Sequence, residues 1–578
     1  MCTKSYGRDL RPATDHVRLM LDSEDAYISC IDVLDATMKL RFLTVLTTLA
    51  FTMAAYAADT KSEARKTAAL KQKVSNIVVI YAENNGFDKL YGLFPGANGI
   101  PSAQHYIPQT DRTPEGDVLP TLPATWKGVT AKGQMPVVTE AQSAGLQNAP
   151  FRIDLAFKDE QGKAVTGEVI TRDLYHRFFE NQMQINGGKN DKFAAYSDAG
   201  GLTMGHFDGS QMEMWQLAKE YVLADNFFQG IFGGSFSNHQ YLICACVPEY
   251  PNADQSPAKG LITALETDEQ GKYLPRLTLA ETSPKSALDG AVKFKHSSNL
   301  TPKGYFGDDT FRAINTMQPA YQPSGNQPAS TDSDALAYAN PDKPTTLPPQ
   351  TQTTIGDQLS ERKVSWAWYG GAWHAALKDG MRDPAAKREV IYTPKPDFQA
   401  HHQPFNYYAA FDPKTHADER QQHLKDYDDL LMAVDAGKLP AVTFYKPEGP
   451  KNQHPGYANV MEGDRHIAAL VKRLQKSPQW KKMVIVVTYD ENGGAWDHVA
   501  PPKGDLAGPG TRIPAIVISP LAKKGLVDHT QYDTASILRL IARRFDLPEL
   551  PGVAKRDAAL VQHGGVPMGD LTAALTLD

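Results

Sequence analysis

Cysteine is scarce in this chain, with four in 578 residues. No disulfide framework can hold such a protein, so it must be held by its own core, which this length allows. Cys2 and Cys30 fall in a leading stretch that does not read as mature protein. Cys244 and Cys246 sit two apart in a segment that reads as a helix, where neighbours at that spacing point to different sides. They are expected not to bond to each other but to be small buried apolar residues. Basic charge is not in excess: 60 Lys and Arg face 66 Asp and Glu, for a net charge of −6. A nucleic-acid binder would need a basic face, so that partner is excluded. No repeat of fixed period occurs, and beyond residue 58 no apolar run is long enough to span a bilayer. What remains is an ordinary globular composition, 41% hydrophobic and 22% charged.

The first sixty residues have the organisation of a targeting segment. Met38-Lys39-Leu40-Arg41 precedes the apolar run Phe42–Ala57, which ends in Ala55-Tyr56-Ala57. Basic region, short apolar region and small-residue exit describe a secretory signal peptide. Residues 1–37 are therefore expected to be an over-extended gene start and residues 38–58 the signal, with the mature chain in the periplasm or secreted. There is no twin arginine beside the apolar run, which points to general secretion of the unfolded chain. The remaining length accommodates one large domain with insertions, or two domains. The expectation is a catalytic domain over 74–578, with a loop-rich insertion at about 251–352 where Pro, Ser, Thr, Asn and Asp dominate.

From Val74 onward the pattern is α/β. Asn76–Ala82 and Met483–Tyr489 are continuous β-rich apolar runs, the mark of strands buried on both faces. Further candidate strands are Val364–Trp368, Pro440–Tyr445 and Ile513–Ser519. Ile467, Leu470, Val471 and Leu474 fall at helical spacing, as do Ile537, Leu540 and Ile541 before Pro548. Such alternation predicts a mostly parallel sheet with helices on both faces.

In an open parallel sheet, functional groups gather at the carboxyl ends of the strands. That rule brings Glu83 and Asn84 to the same rim as Asp490 and Glu491. Ser235 joins them: an aromatic strand-like run, Tyr221–Phe228, passes through glycines at 230, 233 and 234 and turns there into a helix. A serine in that position is either a helix N-cap or a hydroxyl at an anion-binding helix terminus. Three carboxylates, an amide and a hydroxyl on one rim repel one another unless a cation joins them. An all-oxygen set suits a hard divalent ion such as Mg²⁺, Ca²⁺, Mn²⁺ or Fe²⁺. His176, His454 and the pair His401-His402 can hold phosphate oxygens or protonate a leaving alcohol around such a centre.

The segments IVVIYAENNGFDKLYG, NGGKND, FGGSFSNHQYLICA, HHQPF, EGPKNQHPGYANV, TYDENGGAWDHVAPP and RIPAIVISPLAKKGLVDHTQYDTASILRLI together resemble the bacterial acid phosphatase and phospholipase C superfamily, with its alkaline-phosphatase-like fold. The resemblance runs from about Val74 to Leu550. It implies that Glu83, Asn84, Ser235, Asp490 and Glu491 form the metal site and that Ser235 is the phosphorylated nucleophile. It also implies that His176, His454 and one of the adjacent pair, His402 before His401, contact phosphate. The phospholipase C members compared carry a threonine nucleophile and often a twin-arginine signal, so Ser235 and the ordinary signal resemble the acid phosphatase branch. A sulfatase would need x-Pro-x-Arg after the nucleophile, and Phe236, Ser237, Asn238 and His239 follow instead. The expected function is an exported, metal-dependent acid phosphatase acting on small phosphorylated substrates. A phospholipase C-type diesterase is the nearer alternative, and a non-catalytic phosphate- or metal-binding protein the distant one.

Overall fold

Asn76–Ala82 (β1) and Met483–Tyr489 (β6) are buried at all seven positions each, because β-branched and aromatic side chains on both faces of a strand need cover on both sides. The computed structural model describes residues 61–102, 106–113 and 115–577. The expected gene start, the signal peptide, Cys2 and Cys30 lie outside the described residues. The sheet and the site both belong to the compact unit that begins at Thr67.

Between and beyond those two strands lie Val222–Ala224 (β2), Trp366–Gly370 (β3), Leu424–Asp426 (β4), Val442–Lys446 (β5), Ala515–Ile518 (β7) and Leu526–Asp528 (β8). They form one eight-stranded sheet in the order β8-β2-β7-β6-β1-β5-β3-β4. All pairings are parallel except those of β7, which runs antiparallel to both β6 and β2. The fold is thus mixed α/β on a mostly parallel sheet, as the alternation of runs predicts. β1 lies between β5 and β6, with Ala82 opposite Tyr489. That register delivers Glu83 and Asp490 side by side where the two strands end.

The helices that matter for the site are Phe178–Ile185 (α1), Glu213–Glu220 (α2), Ser235–Cys244 (α3), Val460–Lys476 (α4), Ala535–Phe545 (α5) and Pro551–Gln562 (α6). Ile467, Leu470, Val471 and Leu474 line the buried stripe of α4, and Ile537, Leu540 and Ile541 that of α5. No helix among the described residues is long and apolar enough to cross a membrane.

Residues 251–352 carry few regular elements, the antiparallel strands Leu265–Thr267 and Tyr273–Leu277 among them. The Pro-rich part of this stretch is nonetheless bonded to the body. Asn406 donates to Tyr321 O at 3.0 Å, Tyr407 OH to Met317 O at 2.9 Å and Arg420 to Gln322 O at 2.9 Å. It therefore backs the segment that carries His401 and His402.

The cysteine expectation is overturned. Cys244 and Cys246 are joined by a disulfide, with Cα atoms 5.1 Å apart. The reason is local: α3 stops at Cys244, and Ala245 adopts the left-handed conformation (φ 49°, ψ 35°). Helical geometry no longer separates the two side chains once the chain has turned back.

Arg556 on α6 is wholly buried and ties distant segments together. It donates to Asp533 at 2.8 Å, to Asp505 at 3.1 Å and to Gly230 O at 2.7 Å. Replacing it by methionine leaves Asp533 buried without its countercharge, so Arg556→Met is expected to lower unfolding stability by about 3–5 kcal/mol. Denaturant midpoints with an unchanged m-value check this; a loss below about 1 kcal/mol would refute it.

Candidate active site

The oxygen-rich centre is built from two strand ends and one helix start. Asn84 leaves β1 in the left-handed region (φ 57°), which an asparagine tolerates better than most residues. This turn points its backbone N–H at Asp490 Oδ1, 3.1 Å away. Glu491 N–H donates to the same oxygen at 2.8 Å. Glu491 Oε2 accepts Gly493 N–H. Gly493 itself has φ 61°, and a Cβ there would meet Asn84 O at 2.3 Å, so only glycine lets the two strand ends close up.

Ser235 opens α3 after Gly233, whose φ of 85° turns the chain against Phe178, with room for no Cβ (2.4 Å to Phe178 N). The N-cap is Gly234, and no side-chain cap bond is present. Ser235 is therefore not a helix cap. Its hydroxyl donates instead to Asn84 Oδ1 at 3.1 Å. All the residues expected from sequence to hold a metal — Glu83, Asn84, Ser235, Asp490 and Glu491 — are buried around this point.

Two carboxylate oxygens face it with no hydrogen-bond partner among the described residues: Asp490 Oδ2 and Glu491 Oε1. Burial pushes the Asp490 carboxyl up to about 6, with Glu83 adding to the shift and Lys446 opposing it. Burial also pushes Glu491 well above the carboxylate range, against the pull of His176. Orphaned buried anionic oxygens are costly, and a bound cation would relieve them. Residue types and placement thus fit a divalent ion.

Glu83 behaves differently. Burial alone would raise its pKa, but His402 and Lys446 hold it well below the usual carboxylate range. His402 Nε2 donates to Oε1 at 2.8 Å, and the Lys446 ammonium lies 3.1 Å from the same oxygen. Oε2 accepts from Tyr457 OH at 2.9 Å and from Asn452. A ligand atom of Glu83 still falls within 4.8 Å of ligand atoms on Asp490 and His239.

The expected histidines converge. His176 Nε2 lies 3.7 Å from Glu491 Oε1 and 3.4 Å from Asn84 Nδ2. Burial would depress it, but Glu491 and Asp173 raise it to about 9. Its ring and that of His454 meet edge to face, with centroids 5.8 Å apart. His402 is committed to Glu83 and fully buried, and burial drives it down to about 3. His401 has both ring nitrogens without a hydrogen bond among the described residues, Nε2 lying 3.6 Å from Glu83 Oε1. His402, expected before His401 to contact phosphate, thus spends Nε2 on Glu83 and keeps only Nδ1 without a hydrogen bond. Burial also lowers His401 and His454. In this set only His176 is raised above its ordinary value.

Four groups in this centre were missed by sequence reasoning. His239 lies one helical turn after Ser235, and its Nδ1 bonds Ser235 O at 2.8 Å while Nε2 is buried with no partner among the described residues. The i, i+4 spacing in SFSNH held that signal. Lys446 ends β5 as the charged residue of an otherwise apolar strand, and it is fully buried. Asn452 and Tyr457 flank His454 in a segment already singled out.

A second acidic group, Asp88, Asp497 and His498, has ligand-like spacing. Arg512 already neutralises it, bonding Asp497 at 3.1 Å and Asp88 at 3.0 Å.

Buried carboxylates, a serine hydroxyl at a helix start and clustered imidazoles on the rim of a mostly parallel sheet can hold a metal ion, and with the family match that follows they make the protein a hydrolase acting on phosphoric esters. The sequence profile of the Phosphoesterase family matches residues 74–548, most of the chain, and the protein belongs to that family. Phospholipase C A of Mycobacterium tuberculosis is 22% identical over 533 residues, covering 87% of this chain and 77% of that protein. Non-specific phospholipase C1 of Arabidopsis thaliana is 34% identical over 174 residues, 24% of this chain and 32% of that protein. Among solved structures, a protein in the alkaline phosphatase superfamily from Vibrio parahaemolyticus aligns over 61% of this chain and 64% of its own at 10% identity, with a TM-score of 0.27. That value is too low to add to what the sheet itself shows.

The raised carboxyls have a testable sign. An acid whose pKa is higher folded than unfolded binds more protons when folded, so stability falls as pH rises between the two values. Asp490 and Asp497, both held at about 6, make metal-free protein less stable as pH climbs from about 4 to about 6. Glu83, depressed, acts only below that window. Thermal melts of chelator-treated protein should show this loss, and a divalent cation should reverse most of it at pH 7. A cation-induced shift that is as large at pH 4 as at pH 7 would contradict the assignment.

Proposed function

We propose that the protein is an exported acid phosphatase that hydrolyses phosphomonoesters with one bound divalent cation, through a phosphoserine at Ser235. One observation carries the reading: Ser235 Oγ is fixed on Asn84 at the start of α3, beside two unpartnered carboxylate oxygens. Glu83, Asn84, Ser235, Asp490 and Glu491 would hold the cation, with His239 as a further donor. Their oxygens suit Fe²⁺, Mn²⁺, Mg²⁺ or Ca²⁺. Such an ion supplies charge neutralisation and eases loss of the serine proton.

Ser235 Oγ attacks phosphorus in line, forming the new P–O bond as the ester bond breaks. The N–H groups opening α3, together with His176, take the charge on the non-bridging oxygens. His176 gives a proton to the leaving alcohol, and the serine proton passes to a lowered neighbour, His454 or His401, rather than to the committed His402. Water then opens the phosphoserine, releasing phosphate and restoring the hydroxyl. Export rests on the pattern from Met38 to Ala57.

A second reading is favoured by the names of the relatives, several of which are phospholipases C. The same serine chemistry on a phosphodiester would release a lipid alcohol. Rates on a soluble monoester and on phosphatidylcholine vesicles, from pH 4 to 9, separate the two.

Ser235→Ala is expected to lower turnover by at least about a thousandfold while leaving the protein folded. Acid quenching of the wild type during turnover should trap phosphate on the peptide containing Ser235. Near-normal turnover by the variant, or phosphate trapped elsewhere, would end this mechanism.

A further inference from the structure

Immediately beside the catalytic histidines lies an open cleft of about 710 Å³. Its inner wall is Arg172, Asp173 and Gly456; its outer wall is the loop Lys127 to Glu140. Asp173 joins it to the site on one side, with Oδ1 3.6 Å from His176 Nδ1. Gly456, two residues after His454, joins it on the other. A Cβ on Gly456 would lie 3.2 Å from that of Asp173, so the inner wall is closed tightly where it meets the two histidine segments. Whatever is attached to a phosphorus held near His176 and His454 has this space beside it.

The charges in the cleft are not equally engaged. Arg172 is paired with Asp198 at 2.8 Å and donates to Trp126 O. Asp173 accepts Leu174 N–H at 3.0 Å and faces His176. Glu140 accepts Lys127 N–H at 3.0 Å. The ammonium groups of Lys127 and Lys132 are different: both residues are exposed, and neither side chain has a carboxylate partner among the described residues. Their loop is not loose. Val129 N–H bonds Val138 O at 3.0 Å, Ala131 N–H bonds Ile170 O at 3.0 Å, and Arg172 N–H bonds Val129 O at 2.8 Å. Two cations without a carboxylate contact are thus held on a braced loop that also carries Glu140, across the cleft from Asp173.

We propose that this cleft is a leaving-group subsite for an anion, and that preferred substrates are esters whose alcohol carries a second phosphate. The inference rests on the phosphoester reading above and names the substrate class for it. The second phosphate can sit on a soluble molecule or on a lipid headgroup; both present the same dispersed negative charge to Lys127 and Lys132. Exposed lysines confer this preference through many weak, salt-screened contacts, not a tight bidentate grip.

The double variant Lys127→Gln/Lys132→Gln tests it, since both side chains are exposed and outside the catalytic machinery. Wild type and variant are compared on a sugar 1,6-bisphosphate, the corresponding 6-phosphate, 4-nitrophenyl phosphate, and phosphatidylinositol 4-phosphate in phosphatidylcholine vesicles. The wild type should prefer the bisphosphate to the monophosphate. The variant should lose about tenfold in kcat/KM on the bisphosphate, the scale of two exposed charge contacts. The loss should lie in KM, vanish in high salt, and leave 4-nitrophenyl phosphate within about twofold. A lysine-dependent loss confined to the vesicle substrate supports the subsite with a lipid source. Equal losses on all esters, or no loss on either doubly phosphorylated substrate, overturn the proposal. Calorimetric binding of the two sugar phosphates to Ser235→Ala protein, with and without the lysine changes, reads the same preference without turnover. If the wild type hydrolyses none of the esters, the functional reading fails while this binding ratio still decides the subsite.

Discussion

Three carboxylates buried at the ends of two paired strands govern this molecule. β1 and β6 run parallel with Ala82 opposite Tyr489, so the next residues, Glu83 and Asp490, leave the sheet together, with Glu491 beside them. The register is enforced by apolar burial on both faces, yet its result is a concentration of negative charge with almost no access to water. The protein resolves it in two ways. Glu83 receives hydrogen bonds from His402, Tyr457 and Asn452 and an ion pair from Lys446, which together keep it ionised. Asp490 and Glu491 each accept backbone N–H bonds on one oxygen and keep the other without a partner. The first arrangement keeps Glu83 ionised and within reach of a shared ion; the second calls for a cation.

Around that asymmetry the remaining parts find their places. Asn84 bonds Asp490 through its backbone and Ser235 through its side chain, so one left-handed residue locks the nucleophile candidate to the carboxylate pair. His176 answers the charge of Glu491 from the loop before α1. The proline-rich stretch near Tyr321 supports the His401–His402 segment from behind. Even the acidic group of Asp88 and Asp497 follows the same logic with a different outcome, since Arg512 fills the role that a metal would otherwise have.

Much of this was legible in the sequence, and the exceptions have physical causes. The long central strands announced themselves because a strand buried on both faces must be a continuous apolar run. β4 and β8, three residues each, are too short for any period to register. That β7 is antiparallel could not be read, because burial fixes composition and says nothing of chain direction. The donors Glu83, Asn84, Asp490 and Glu491 were accessible through the rule that function gathers at strand ends. Lys446 and His239 were not sought there: a lysine closing an apolar strand reads as a snorkelling end, and a histidine mid-helix as packing. Both His401 and His402 face Glu83, and which of them hydrogen-bonds it is a matter of packing that adjacent identical residues cannot disclose. Cys244 and Cys246 misled because the spacing argument assumed that the helix continued, whereas Ala245 ends it.

The guanidinium of Arg556 reaches Gly230 O from 326 positions further along the chain. The glycine turn that leads to Ser235 is therefore braced by a side chain made near the end of synthesis. β1, β2 and α3 are all made long before that brace exists, and β6 and β7, which separate β1 from β2 in the sheet, are made late as well. Until α6 emerges, the serine loop lacks its anchor, and Asp505 and Asp533 lack their countercharge. A chain cut short before α6 would retain its acidic donors while lacking the side chain that braces the glycine turn leading to Ser235.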